Sequence, residues 1–512
     1  PSHLQMAQAI EAVMVDAIAK AEKSVVAIAR VRKGARNVAA AGDFRDGLLG
    51  ERLPGERLPG ERLPGERLPG MGLPGDGLPL VRPSFGLLDT VPTSPDFVPN
   101  EFATGVVIDR QGHVVTNYHV LGNPEENDYF VWVRRKPFEV VEVEVPEHVE
   151  AGDPWTDLAV LKIAAENLEP IVFGDVTRLR KGMVVIALGN PFGIARDGEV
   201  SASWGIVSNL RRAAPPPAET LRSDAERDSL HQFGTLIQTD ARLELGASGG
   251  ALVDLKGEMI GLTTALTALT GYEHPAGFAI PVDDAFRKTM ETLKQGRLPA
   301  FGFLGVQPEH LSLAERQQGA FGTRVLRIVP GSPADLAGVR QGDIITHVNG
   351  ERVEDRNVLF RELSKMPADS LVTIVMDRRD PLRPQRRNVT VEARLTKKYV
   401  ESARKPYARL KEPVWRGLTV EYPSALPPQF HTLGFQAIDR QGCVAVFDVD
   451  KESPAWKAGL RRGEYISHVG DRRVSTPREF HAAVEGMPGD VRLQLTASRG
   501  EAVVRVISAD ES

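Results

Sequence analysis

At 512 residues the chain is too long for one domain, and at roughly 150 residues each there is room for about three. Hydrophobic residues at 42% and charged residues at 26% are those of a folded chain, and a formal net charge of −5 gives no overall reason to expect nucleic-acid or membrane binding. Cys443 is the only cysteine, which excludes an intrachain disulfide framework and a cysteine-based zinc site.

Taken in chain order, the first segment is apolar but broken by Glu11, Asp16, Lys20, Glu22 and Lys23 at helical intervals. It predicts an amphipathic helix over residues 1–23 feeding a strand at Ser24–Arg32, and reads as neither a signal peptide nor an integral membrane segment. Residues 51–70 are four copies of Glu-Arg-Leu-Pro-Gly, followed by two degenerate copies. A Pro-Gly pair every five residues blocks continuous helix or strand, and one leucine per repeat cannot build a core, so a loosely turned segment is expected. Short β-type runs then follow, among them Thr104–Asp109, His113–Thr116, Val131–Val133, Leu158–Ile163, Met183–Leu188, Gly205–Ser208, Thr235–Gln238, Ala251–Val253 and Met259–Thr264. Such spacing points to barrels or a sandwich, with Asp283–Gln295 as a closing amphipathic helix. Phe301–Thr396 and Trp415–Ala509 each repeat a shorter plan of strands, a Ser-Pro-Ala turn and a short helix. Between Asp377 and Lys411 lie twelve Lys/Arg against four Asp/Glu, read as a solvated hairpin and linker, with a docking surface as the alternative.

Three segments carry chemistry. Val115-Thr116-Asn117-Tyr118-His119-Val120 places a histidine just after an apolar strand, Asp153–Val160 opens another strand with Asp157, and Gly246-Ala247-Ser248-Gly249-Gly250 sets a serine in a glycine-rich turn. A serine hydroxyl attacks only when a base takes its proton, and the imidazole needs a carboxylate to hold its tautomer. The glycines let the amides of Gly246 and Ser248 converge on a developing oxyanion. Each piece alone is commonplace. The chain order His119, Asp157, Ser248 matches the double-barrel serine proteases and not the α/β-hydrolases, whose order is Ser, Asp, His.

With these segments in place, the chain resembles the HtrA (Deg) family of serine proteases through Gly105–Val120, Asp153–Ile163, Leu188–Gly193, Gln238–Asp240, Gly246–Leu252 and Gly277–Pro281. The resemblance implies a mostly β fold: a chymotrypsin-like double β-barrel over residues 24–295, interrupted by the long insertion 33–100, then two PDZ domains at 300–397 and 412–512 joined by a basic linker at 398–411. It also implies a catalytic triad of His119, Asp157 and Ser248, an oxyanion hole from Gly246 and Ser248, and a substrate groove lined by Thr263, Thr264, Ala265 and Phe278. Three departures stand out. Ala247 replaces the usual Asn before the nucleophile, Arg242-Leu243-Glu244-Leu245 replaces an Ile-Asn-Pro loop that switches activity in the family, and Tyr118 replaces a commoner Asn. The insertion falls where the family has a long loop that reaches a neighbouring subunit, so a role in assembly or access is expected for it.

Phe303-Leu304-Gly305-Val306 resembles a PDZ carboxylate-binding loop, and Gly417-Leu418-Thr419-Val420 occupies the equivalent place in the second module. Such loops bind peptide carboxyl termini, the peptide adding as a strand; modules used only for packing or spacing are the alternative. The resemblance implies an ATP-independent endopeptidase acting on unfolded or mislocalised proteins, working as a homo-oligomer, a trimer or multiples of it, in the periplasm or otherwise outside the cytoplasm, without cofactor, metal or nucleic acid. The competing reading is a chaperone or PDZ scaffold with a latent or idle protease.

Overall fold

The structure is a computed structural model that describes residues 2–33, 101–133, 136–139, 149–190, 199–213, 229–244, 246–264, 277–379, 386–400, 402, 404–427, 429–430, 439–496 and 503–509. The pentapeptide repeats, Leu245, Ala265 and the 191–193 part of the Leu188–Gly193 motif therefore lie outside the described residues.

Helix α1 (His3–Ala21) opens the described chain behind a capping box in which Ser2 and Gln5 satisfy each other's backbone amides. It buries Ala17 and Ala21 but leaves Leu4 and Ile10 exposed, so its apolar face is only partly covered. Strands β1 (Val25–Arg32), β2 (Glu101–Val107), β3 (His113–Asn117), β4 (Asn127–Val133), β5 (Lys136–Glu139), β6 (Val149–Asp153) and β7 (Leu158–Lys162) share one sheet in the order β6-β7-β3-β2-β1-β4-β5. Strands β8 (Val184–Gly189), β9 (Ser201–Arg212), β10 (Leu236–Thr239), β11 (Ala251–Val253), β12 (Met259–Thr264) and β13 (Gly277–Pro281) close into a barrel. Val106, Val115, Leu158 and Val160 from the sheet pack with Ile186, Leu188, Ala251 and Leu262 from the barrel in one core. Between them the two units hold a seam, and helix α2 (Tyr118–Leu121) sits at the exit of β3. Helix α3 (Asp284–Lys294) starts where the Asp283 carboxylate accepts from the Phe286 amide at 3.0 Å, and it turns Phe286, Met290 and Leu293 inward at helical spacing.

Two further six-stranded sheets follow, each with the same plan. In the first, Val306–His310 is an edge strand beside Thr323–Ile328, and in the second Leu418–Glu421 is an edge strand beside Val444–Val449. The two modules touch through an Arg440–Asp335 ion pair at 2.8 Å and a hydrogen bond donated by the Tyr422 hydroxyl to Asp369 at 2.6 Å.

The segment 398–411 differs from its expectation as a solvated linker. Tyr407–Ala408 pairs antiparallel with Gly152 and Ala151, adding an outer strand to the first sheet beside β6. Arg409 binds Glu150 at 2.6 Å, and the Tyr118 hydroxyl donates to the Lys405 carbonyl. The basic charge seen in the sequence is thus partly spent on docking to the first sheet.

Candidate active site

The first sheet brings His119 and Asp157 together through its register. β3 and β7 run antiparallel with Asn117 opposite Leu158, so the residue after β3 and the residue before β7 leave the sheet at the same end. The Asp157 carbonyl accepts from the Tyr118 amide at 3.0 Å and from the Asn117 side-chain amide at 3.2 Å, which fixes the turn against β3. Asp157 Oδ1 accepts from the His119 backbone amide at 2.9 Å, and Oδ2 lies 2.8 Å from His119 Nδ1. A carboxylate only accepts, so Nδ1 carries the ring proton in this pair and Nε2 is left with its lone pair. Burial alone would raise the Asp157 carboxyl, but the His119 ring charge and the two His119 hydrogen bonds outweigh it and hold the group below its ordinary range. Asp157 is therefore an anion wherever the imidazole has to be oriented.

Four residues earlier, Asp153 accepts from the Thr156 amide at 2.9 Å and hydroxyl at 2.6 Å, closing the turn that presents Asp157. Its burial is complete enough that the carboxyl is pushed up to about 6, against the pull of those hydrogen bonds. Asp157 itself adopts φ 54°, an uncommon left-handed conformation for a residue with a side chain. It is held there by the contacts on both flanks of the turn.

Ser248 is buried in the turn between β10 and β11. Its carbonyl accepts from the Thr104 amide at 3.0 Å, and the Thr104 hydroxyl donates to the Gly246 carbonyl at 2.7 Å. Thr116, three residues before His119, donates its hydroxyl to the Thr104 carbonyl at 2.7 Å. Two threonines thus dock the serine turn onto the strand that carries the histidine. At Gly249 the approach is closest: φ is 84°, and a Cβ there would stand 2.1 Å from the Thr104 carbonyl oxygen and 2.2 Å from Thr116 Oγ1. Gly246 has φ 92°, and its amide donates to no acceptor among the described residues.

Of the residues read as a substrate groove, Thr263 is a strut for this turn, its hydroxyl donating to the Ala247 carbonyl at 2.6 Å. Its backbone exchanges hydrogen bonds with Gly249 and Gly250 at 2.9 Å each. Thr264 pairs with Phe278 across β12 and β13, and both are buried. Ala265 is outside the described residues. In the altered loop, Arg242 pairs with Glu244 at 2.5 Å, and the Glu244 carbonyl accepts from the Ala247 amide at 3.0 Å. The lone thiol takes no part: Cys443 is buried in the second carboxyl-terminal module, and burial pushes its thiol up to about 12.

In the first of these modules the amides of Leu304 and Gly305 donate to no acceptor among the described residues, and Gly305 turns at φ 87° against Ser332. The second repeats this at Gly417, φ 76° against Ser453, with the Ala455 amide on the Arg416 carbonyl as the Ala334 amide is on that of Leu304; Leu418, the counterpart of Val306, donates its amide to the Trp415 carbonyl at 2.8 Å. Sequence reasoning missed His231, whose ring lies 2.8 Å from the Thr156 carbonyl, because a single histidine in an irregular segment has no motif around it.

Comparison with known proteins places these features in context. The Trypsin-like peptidase domain family matches residues 103–262, and the PDZ domain family matches 324–378 and 446–494. The chain is 31% identical over 416 residues to a protein of Chlamydia trachomatis serovar D described as a probable periplasmic serine endoprotease DegP-like, covering 80% of this chain and 74% of that one. It is 28% identical over 422 residues to the periplasmic serine endoprotease DegP of Salmonella typhimurium, covering 79% and 75%. Among solved structures, the HtrA-type protease AlgW with decapeptide is similar at 23% identity and a TM-score of 0.45, over 75% of this chain and 98% of that one.

Proposed function

Since the chain belongs to the DegP-like family of HtrA serine endoproteases, we propose that His119, Asp157 and Ser248 are its catalytic triad and that it degrades unfolded or mislocalised proteins without ATP. The observation that carries the assignment is the paired contact of Asp157 with His119, one oxygen on the ring and one on the backbone amide. That pairing leaves His119 Nε2 as the base. Ser248 Oγ attacks the scissile carbonyl carbon while Nε2 takes its proton, and the amides of Gly246 and Ser248 receive the charge on the carbonyl oxygen. The C–N bond then breaks as His119 returns the proton to the leaving amine, and water repeats the sequence on the acyl-enzyme. Only a neutral ring can accept the serine proton, which the Nδ1–H tautomer held by Asp157 provides at Nε2.

The same reading assigns substrate or activator carboxyl termini to the first PDZ module. Its Leu304 and Gly305 amides are directed to no described protein acceptor, and the edge strand Val306–His310 offers an unpaired side for an added peptide strand. The second module departs further from the pattern, with Glu464 where the first has Asp343 and Gly470-Asp471 where the first has Asn349-Gly350, and is the weaker peptide site. Assembly into trimers and work in an extracytoplasmic compartment extend the family's habits to this chain. No helix among the described residues is long and apolar enough to cross a membrane.

The test is direct. The wild-type protein and Ser248→Ala are incubated with unfolded casein and, separately, with a fluorophosphonate probe, each with and without a carboxyl-terminal peptide. Cleavage and labelling by the wild type alone are expected. Absence of both under every condition would leave the chaperone or scaffold reading standing.

A further inference from the structure

Behind the turn that presents Asp157 stands a histidine that the reaction above does not use. His231 lies on the single turn of 3-10 helix Leu230–Phe233 and is 1% exposed. Its Nε2 is 2.8 Å from the Thr156 carbonyl oxygen, and its Nδ1 is 3.0 Å from the Thr235 hydroxyl. A carbonyl cannot donate, so Nε2 holds the proton; the neutral ring then accepts from Thr235 at Nδ1. The peptide one residue earlier is held from the same side, since the Trp155 carbonyl accepts from the Leu230 amide at 2.8 Å and from the Ser229 hydroxyl at 3.3 Å.

The need for such support follows from the backbone. Asp157 sits at φ 54°, a conformation that persists in a residue with a side chain only where neighbours over-determine it. From the front, Asn117 and Tyr118 hold the Asp157 carbonyl. From the back, the Thr156 carbonyl is met by the His231 ring. Burial pushes the His231 ring toward its neutral form, as a donor to a carbonyl with an acceptor on its other nitrogen requires.

We infer that His231 is a positioning residue for the protease reaction, setting the place of the Asp157 carboxylate through its hydrogen bond to Thr156. This rests on Asp157 being the triad aspartate. A displacement of about 1 Å at a catalytic group can cost about 100-fold in rate. His231→Leu keeps the volume and removes the donor; His231→Gln restores an N–H at the position of Nε2.

Steady-state kinetics on a peptide substrate are measured for the full-length wild type, His231→Leu, His231→Gln and Asp157→Asn. His231→Leu is expected to lower kcat by about 30-fold with KM within about twofold, and His231→Gln to recover kcat to within about threefold of wild type. A His231→Leu enzyme with wild-type kcat, or a His231→Gln enzyme as slow as the leucine variant, overturns the proposal. If Asp157→Asn retains wild-type kcat, the triad assignment has failed instead, and the two failures are told apart. Should the leucine variant not fold, ring-nitrogen NMR of the wild type still decides: an Nε2–H tautomer at His231 is required, and an Nδ1–H tautomer or a charged ring at neutral pH overturns the inference.

Discussion

Gly249 shows how tightly a single position can be specified. The serine turn must come close enough to Thr104 and Thr116 to dock on β3, and the space left at Gly249 is smaller than a methyl group. With φ at 84° the backbone is also in a region that favours glycine. Gly249→Ala therefore has to push the turn away from the histidine strand. Its fluorophosphonate labelling rate is expected to fall by about 100-fold, a loss of geometry alone, while far-UV circular dichroism is retained. Labelling at the wild-type rate would show that the docking through Thr104 does not govern reactivity. The glycine-rich turn was legible from the sequence, but its reason for lacking a side chain at this position was not. The clash partners lie more than a hundred positions away.

Among the elements, β6 and the strand Tyr407–Ala408 were the least legible. Val149-Glu150-Ala151-Gly152-Asp153 has no apolar alternation, and a two-residue strand has no period at all. Each forms because the other side of a ladder is waiting: β7 on one flank of β6, and the inter-module segment on the other. Gly152 leaves room for the Tyr118 ring, and the Tyr118 hydroxyl reaches the Lys405 carbonyl. The unusual tyrosine beside His119 thus has a role in clasping the segment 398–411. Tyr118→Phe keeps the ring and loses that bond, at an expected cost of about 1 kcal/mol in denaturant unfolding. Trypsin is expected to cut after Arg404 faster in this variant, and an unchanged rate would mean the clasp is made elsewhere.

At the scale of the whole molecule, Trp155, Phe233, Phe301 and Phe360 gather the protease unit and the first PDZ-like module around one apolar cluster. Lys398 enters it with its ammonium 3.5 Å from the centre of the Trp155 ring, while the Lys398 amide donates to the Phe301 carbonyl at 2.7 Å. The side chain as a whole is partly exposed, but its charged end is enclosed, and burial pushes it from 10.5 down to about 7. The folded chain therefore releases a proton that the unfolded chain keeps between those values, so this group makes stability rise with pH across that window and fall as pH drops toward 7. The cation–π contact offsets part of the cost of the charge. Lys398→Met is expected to melt above the wild type at pH 7, with the gap between the two midpoints shrinking toward pH 10. A gap that does not change with pH would assign Lys398 to packing alone.

The local sequence by itself identified the groups able to do chemistry and the order in which they occur. A histidine after an apolar strand, an aspartate before another and a serine among glycines are each written in a few adjacent residues. The two repeated modules were legible for the same reason: their glycine and Ser-Pro-Ala turns are short-range features. Tertiary structure decided what those groups touch. His231 behind Asp157, Thr104 under Ser248, Tyr407–Ala408 beside β6 and Lys398 over Trp155 join positions separated by tens to hundreds of residues. Such contacts depend on strand register and on which faces pack together, which no local pattern encodes. The residues of the reaction are thus local in origin, while the forces that aim them are not.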